Sequence, residues 1–335
     1  MIGVASRVMR AFALLLVLSG ALLPPSPAGA QEAKPARTWR IGWLSPPTAA
    51  TGASELAALR AGLRELKYVE GQNLVIEARW ANGDPARLAD LARSLAELPV
   101  DVICTAGTPA TLAAKRATST VPIVFGRAAF PEQTGLVSSL ARPGGNLTGV
   151  TFIGPEYGKR LELLREVAPR ASRIALLYND RNTASVLAVE ETRRWAKDLR
   201  VTIEPVAIHD AASLDAALAS LRRHPPEALM TTADPLVASF RGPIVGFAAE
   251  RRVVAMFGDR EYVRDGGLMF YGTSTADMWH HAATYVDRIL RGAKPGELPV
   301  EQPTKFELMI NMKTARVRGL AIPPSLLLRA DEILE

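Results

Sequence analysis

The chain is expected to fold as an α/β protein of two doubly wound, parallel-sheet lobes around a cleft, and three observations predict it. From residue 38 onward, short apolar segments alternate with amphipathic helical ones, the pattern of parallel sheets covered by helices on both faces. One part of that alternation occurs twice. "VICTAGTPATLAA…VPIVFG" in the first half matches "ALMTTADPLVASF…VVAMFG" in the second; each runs strand, Thr/Ala turn, N-cap residue, proline, helix, strand. Finally, 335 residues at 48% hydrophobic and 22% charged supply enough apolar side chains for one large domain or two lobes.

Residues 1–30 read as a secretory signal. Arg7 and Arg10 form its charged start, "AFALLLVLSGALL" (11–23) its apolar core, and Ala28–Ala30 the small residues before a cut at Gln31. The core is too short to span a bilayer comfortably, which sets a cleaved leader above an uncleaved anchor. No cysteine follows it for lipid attachment. The formal charge is +6, two of it from those first arginines, and the remaining basic residues are scattered. That is a mildly basic surface, not a nucleic-acid footprint. The single cysteine, Cys104, lies within an apolar strand, so neither an internal disulfide nor a cysteine metal site can form.

The elements follow in order. "RIGWLS" (40–45) is the first strand; Leu56, Leu59, Leu63 and Leu66 then mark one helical face. "LVIEARW" (74–80) is the second strand. Asp84 and Pro85 open the next helix as N-cap and first helical residue, with Leu88, Leu91, Leu95 and Leu98 as its stripe. "DVICTA" (101–106), "VPIVFG" (121–126) and "NLTGVT" (146–151) are three more strands. In the repeat, Thr108 and Asp234 are the matching N-caps. "ARPGGN" (141–146) is the strongest compositional break, where a change of connectivity is expected. A helix at 156–167, the strand "RIALLYN" (173–179), a helix at 183–199 and "VTIEPVA" (201–207) follow. Then come a helix at 213–222, "EALMTTA" (227–233), a helix at 235–251, "VVAMFG" (253–258) and "LMFYG" (268–272). Ser274 and Asp277 fit a capping box for a helix over 274–291 that Gly292 ends. After a proline-rich connector, "KFELMIN" (305–311) reads as a strand and "MKTARVRGL" (312–320) as a helix. The first lobe is expected to take 38–150 plus about 273–303, and the second 151–272 plus about 304–335, so that several crossings form the hinge.

Chemistry is scarce along the chain. "GTSTA" (272–276) has the outline of a nucleophile elbow, but no histidine follows His280 and His281, and capping explains Ser274. Those two histidines are adjacent and lack any metal-ligand spacing. There is no GxxxxGK[ST], and "GGNLTG" (144–149) leads into a strand instead of a helix. No catalytic residue, metal or cofactor is expected.

Four stretches together carry a resemblance: "TAGTPATLAAKRATSTVPIVF", "GLVSSLARPGGNLTGVTF", "GDREYVRDGGLMFYG" and the segment from "AKPGELPVEQPTKFELMIN" to "LLLRADEIL". Over about 38–335 the chain resembles the ABC-transporter substrate-binding proteins whose members include tryptophan and tyrosine binders. The resemblance implies a type I periplasmic-binding-protein-like fold, no catalysis and a permease partner in the inner membrane. The chain departs from the family pattern at Phe130, which precedes Pro131 where an aspartate is usual, and at Phe270, where a serine is usual. Both positions are expected near strand ends that face the cleft.

In open α/β sheets ligands sit beyond the carboxyl ends of the strands, where helix amino ends attract anions. Gly107, Thr108 and Ala110 are therefore candidates to hold a ligand carboxylate, beside Thr105 in the same turn. Asp234, at the matching place, is the candidate for a ligand ammonium, so that a zwitterion would bridge the lobes. Ser45, Phe125, Asn179 and Tyr271 are candidates from other strand ends. Trp43 and Phe130 offer stacking surface, with a core role for Trp43 favoured. The function expected is a periplasmic solute-binding protein of an ABC importer: a monomer binding an amino acid or related carboxylate. An exported sensor subunit and an α/β hydrolase are the alternatives.

Overall fold

Five apolar strands make the first sheet. In the computed structural model, which describes residues 37–152 and 156–335, they are β1 (Trp39–Ser45), β2 (Leu74–Trp80), β3 (Val102–Thr105), β4 (Ile123–Ala128) and β5 (Leu147–Thr151). They pair all-parallel in the order β2-β1-β3-β4-β5. Helices α1 (Ala53–Glu65), α2 (Leu88–Ala96) and α3 (Gly107–Ala117) make the connections. Side chains alternate across a strand, so the sheet buries two cores. Ile41, Trp43, Val102, Cys104 and Val124 pack on the α1 side, and Leu44, Ile103, Ile123 and Phe125 against α2 and α3. Cys104 is fully buried and its thiol is pushed up by desolvation, which leaves it inert. The proposed leader, residues 1–30, lies outside the described residues.

Three local expectations change. Asp84 does cap, accepting from Ala86 N at 3.0 Å, but Pro85–Arg87 form a 3₁₀ turn before α2. Leu98 falls beyond that helix because Pro99 follows it, and the residue before a proline avoids helical dihedrals. At 141–146 the connectivity does not change: Gly144 and Gly145 adopt φ +70° and +63°, and the chain returns into β5, still in the first sheet. The change of sheet comes after Thr151.

The second sheet begins beyond α4 (Glu156–Val167). In chain order its elements are β6 (Arg173–Asn179), α5 (Thr183–Asp198), β7 (Thr202–Ile208), α6 (Ala211–Arg223), β8 (Ala228–Thr231), α7 (Pro235–Ser239), α8 (Arg241–Glu250), β9 (Val254–Phe257), α9 (Glu261–Arg264) and β10 (Met269–Gly272). Helix α10 (Thr275–Leu290) follows, then β11 (Glu307–Asn311), α11 (Met312–Arg318), α12 (Pro324–Leu327) and β12 (Glu332–Leu334). The strand order is β12-β11-β10-β9-β8-β6-β7. Among the described residues only the β10–β11 pair is antiparallel. Within it, β7-β6-β8-β9-β10 repeats the topology of the first sheet, so the repeat read in the sequence is a repeat of architecture. The helix expected over 235–251 is two helices, broken at Phe240. Pro243 has no N–H to offer the carbonyl one turn back.

Helix α10 leaves the second sheet and packs on α1, β4 and β5 of the first. Its Trp279 fills the space over Gly126, where an added Cβ would lie 2.5 Å from the indole, and it tilts against Trp43 at 4.6 Å. Trp43 is thus core. Ser274 caps α10 by accepting from Asp277 N at 3.2 Å; the reciprocal half of a capping box is not found among the described residues. The chain then bridges Val150 through Glu301 and returns as β11. Connections cross between the sheets three times, after β5, after β10 and before β11.

Candidate functional site

The strand order reverses between β1 and β3 in the first sheet and between β6 and β8 in the second. Such switch points are where open α/β sheets hold ligands. Here the two face each other. Gly107 adopts φ +80° at the start of α3, and a Cβ added to it would stand 3.0 Å from Cγ of Pro235, the first residue of α7. A small space of about 10 Å³, a single water's worth, lies on one side of this contact beside Thr108, Arg127, Phe152, Tyr157 and Asn182. A wider space of about 170 Å³ lies at the mouth beside Glu55, Arg127, Asp234 and Asp259 and has room for a small ligand.

Around the Gly107 turn, every hydroxyl has structural work. Thr108 is not the cap of α3; that position is Ala106. The Thr108 hydroxyl instead accepts from Ala129 N at 3.0 Å and donates to Ala129 O at 3.3 Å. It thereby clamps the peptides before Phe130, a non-glycine residue held at φ +49°. Phe130 stacks on Tyr157 of α4, centroids 6.3 Å apart and planes 11° from parallel. Thr105 lies a layer deeper, its hydroxyl 2.9 Å from that of Thr111, which donates to Gly107 O at 2.8 Å.

Asp234 does cap, as expected. Its buried carboxylate accepts from Leu236 N at 2.8 Å and Val237 N at 3.1 Å, and from the Asn182 amide at 2.7 Å. The Asn179 amide adds weaker contacts at 3.4 Å. Burial raises its pKa; the amides and backbone N–H groups oppose the rise. With these donors around it, Asp234 organises the α7 tip. Asp234→Ala is expected to cost about 1–2 kcal/mol of stability, the worth of a lost cap, read as a lower urea midpoint. Asn179 also closes an Asx turn, accepting from Arg181 N at 3.0 Å.

Gly107, Thr108, Asn179 and Asp234 are therefore gathered at one cleft, while other candidates are not. Ser45 is fully buried; its carbonyl accepts from Ala81 N at 2.9 Å, and its hydroxyl has no hydrogen-bond partner among the described residues. Phe125 is fully buried in the core under α2 and α3. A bulge between Phe125 and Ala128 lets both residues join that core although they are three apart, and it re-aims Arg127 into the cleft instead. Tyr271 stacks on Phe306 at 5.8 Å, away from the cleft, and contributes only its carbonyl, to Arg160 Nε at 2.6 Å. Phe270 packs on Val263 and Met309, not toward the cleft.

The charged residues of the site were missed by spacing arguments, because each comes from a different element. Arg127 Nη1 lies 2.7 Å from Glu55 of α1 and 3.2 Å from Asp259, which follows β9 in the other lobe. All three side chains are largely buried. Desolvation opposes the Arg127 charge, but Asp259 and Glu55 outweigh it and hold the guanidinium up. The signal available in the sequence was an arginine closing an otherwise apolar strand, "VPIVFGR".

Glu156, at the start of α4, is 1% exposed. It sits 3.5 Å from Arg160, and neither of its oxygens has a hydrogen-bond partner among the described residues. Burial raises its pKa to about 7, against the pull of Arg160 and Arg127. A folded-state pKa above the unfolded value of 4.5 means that this carboxyl contributes stability below about pH 4.5. That contribution is lost as pH rises through about 7. Glu156→Gln is expected to flatten the stability–pH curve over this interval, by on the order of 3 kcal/mol; an unchanged slope in urea titrations would count against it.

Two α/β lobes of parallel sheet, joined by three crossings and meeting at their switch points, define a type I periplasmic-binding-protein architecture. The chain belongs to the family described as ABC transporter substrate binding protein, whose sequence pattern matches residues 53–334. It is similar to a tyrosine-binding protein of Clostridioides difficile (strain R20291), 26% identical over 254 residues, covering 76% of this chain and 73% of the relative. A solved conserved domain protein from Vibrio cholerae O1 biovar eltor str. N16961 superposes with a TM-score of 0.84 at 26% identity, covering 89% of this chain and all of that one. An ABC domain from Streptococcus pneumonia, solved in complex with L-Trp, also gives 0.84, at 24% identity over 89% of this chain and all of that one. Among the described residues no helix is long and apolar enough to cross a membrane.

Proposed function

We propose that this protein is an exported, periplasmic receptor that closes its two lobes around one amino acid with an aromatic side chain and delivers it to an ABC permease in the inner membrane. It acts as a monomer, without catalysis, cofactor or metal. The observation that carries this reading is the meeting of the two switch points at Gly107 and Pro235. Beside it, at the mouth, are groups of both charges, Arg127 with Glu55 and Asp259, and these paired charges suit a zwitterion; the buried rings of Phe152 and Tyr157 lie next to them. The tyrosine-binding relative and the L-Trp complex of a structural neighbour support the same class. Gly107 and Thr108 form one wall of the site, and Asn179 and Asp234 brace the other.

A thermal-shift panel of the twenty L-amino acids on the purified protein tests this. A ligand that binds only the folded state at about a hundred times its Kd adds about 2.7 kcal/mol. That corresponds to a rise of several degrees for L-tryptophan, L-tyrosine or L-phenylalanine. No rise with any amino acid removes the reading.

A further inference from the structure

We propose that Arg127, held between Glu55 of one lobe and Asp259 of the other, is the seat of the ligand's charged head group: Arg127 takes the carboxylate, and Asp259 with Glu55 takes the ammonium. The inference rests on the amino-acid reading above and deepens it. It moves the head group away from the amino end of α3 and from Asp234, whose carboxylate is already surrounded by donors.

Four features converge on this triad. The first is unused capacity. A guanidinium carries five N–H donors in a planar fork, yet among the described residues the one side-chain hydrogen bond of Arg127 is from Nη1 to Glu55, and its closest approach to Asp259 is also through Nη1. The side of the fork carrying Nε and Nη2 remains for a bidentate carboxylate. The second is position. Arg127 lines the mouth, where there is room for a ligand, and borders the water-sized space behind it.

The third is charge. Within the triad two carboxylates face one guanidinium, so an incoming ammonium finds a carboxylate to pair with and the ligand's own carboxylate is matched by the arginine fork; burial also raises the pKa of Glu55 despite Arg127. Over the whole mouth Glu55, Asp234, Asp259 and Glu261 balance Arg127, Arg241, Arg260 and Arg264, a balance that a zwitterion keeps and a simple carboxylate upsets. The fourth is topology. Arg127 is on β4 and Asp259 follows β9, so their 3.2 Å contact exists only when the lobes are together. A head group seated across it favours the closed form by binding that form better.

Next to the triad, the Arg127 guanidinium lies 5.8 Å from the Phe152 ring centroid. That ring is the aromatic surface within reach of a head group held by Arg127.

The test is calorimetry on the full chain with L-tryptophan and L-tyrosine, their decarboxylated analogues tryptamine and tyramine, and the deaminated acid indole-3-propionate. For the wild type, each amine is expected to bind roughly 100-fold more weakly than its amino acid. In Arg127→Met and Arg127→Lys, amino-acid affinity is expected to fall by a similar factor of about 100 while amine affinity moves less than about threefold, so that discrimination between the two disappears. Asp259→Asn is expected to weaken tryptophan and tryptamine alike, by about tenfold, and to spare indole-3-propionate.

A bridge that is only structural would weaken all ligands together and preserve their ranking. That result overturns the proposal, as do Arg127 variants that bind tryptophan and tyrosine like the wild type. If Arg127→Met does not fold, Arg127→Lys decides. Wild-type binding of tryptamine as tight as that of tryptophan overturns the proposal without any variant. A wild type that binds neither amino acid is a different outcome: it removes the functional reading itself.

Discussion

Gly149→Ala is expected to leave little folded protein. Gly149 pairs with Phe125 across β4 and β5 at φ +150°, a region that L side chains rarely enter. An added Cβ would lie 2.0 Å from Phe125 O and 2.7 Å from Phe125 N. These are backbone atoms, so no rotamer change relieves the clash, and the strands must separate. The consequences spread, because Gly149 O also accepts from Glu301 N at 3.1 Å and so holds the last crossing between the lobes. Overpacking a core commonly costs about 1–3 kcal/mol. A clash between two strands of one sheet, with backbone strain added, is expected to exceed about 4 kcal/mol, in the range reserved for a few mechanisms. Urea unfolding of the variant checks this; a melting temperature within a few degrees of the wild type would show that β5 pairs differently.

The largest effect on binding is expected from Gly107→Val. The backbone there is at φ +80°, so a β-branched residue brings strain of about 1 kcal/mol or more. Its Cβ would already touch Pro235 at 3.0 Å, and the two γ-methyl groups would press further into α7. Each lobe keeps its own core, so folding survives. Closure does not, because Gly107 and Pro235 meet only when the lobes do. Apparent affinity scales with the population of the competent closed form. A drop of roughly 100-fold, about 2.7 kcal/mol, is expected by calorimetry, together with a larger radius of gyration in the presence of ligand by small-angle scattering. Undiminished affinity would mean that the liganded protein does not use the Gly107–Pro235 contact.

Most of the framework was legible because periodicity is a local property. β2 occupies the "LVIEARW" segment as read, and the stripe of Leu56, Leu59 and Leu63 is the buried face of α1. Asp234 and Ser274 cap the helices that follow them, and Asp84 caps the 3₁₀ turn that leads into α2, since a cap depends on the next three residues only. Errors arose where a distant group intervened. Thr108 resembles a cap in sequence, but Ala129, twenty-one residues on, takes its hydroxyl. Phe125 reads as a strand end, but the strand runs on to Ala128, and the bulge keeps Phe125 in the core and turns Arg127 into the cleft. Tyr271 stands at the end of a strand, but Phe306 covers its ring.

The sequence by itself therefore determined the alternation of strands and helices, the internal repeat and the two sheets, because each follows from the spacing of apolar residues along a few turns or pleats. Only the tertiary structure decided which side chains share the cleft. Glu55, Arg127 and Asp259 are separated by 72 and 132 residues along the chain, and no spacing rule links them. They meet because two sheets of like topology bring their switch points face to face, and buried charges placed there must find one another or remain unpaired.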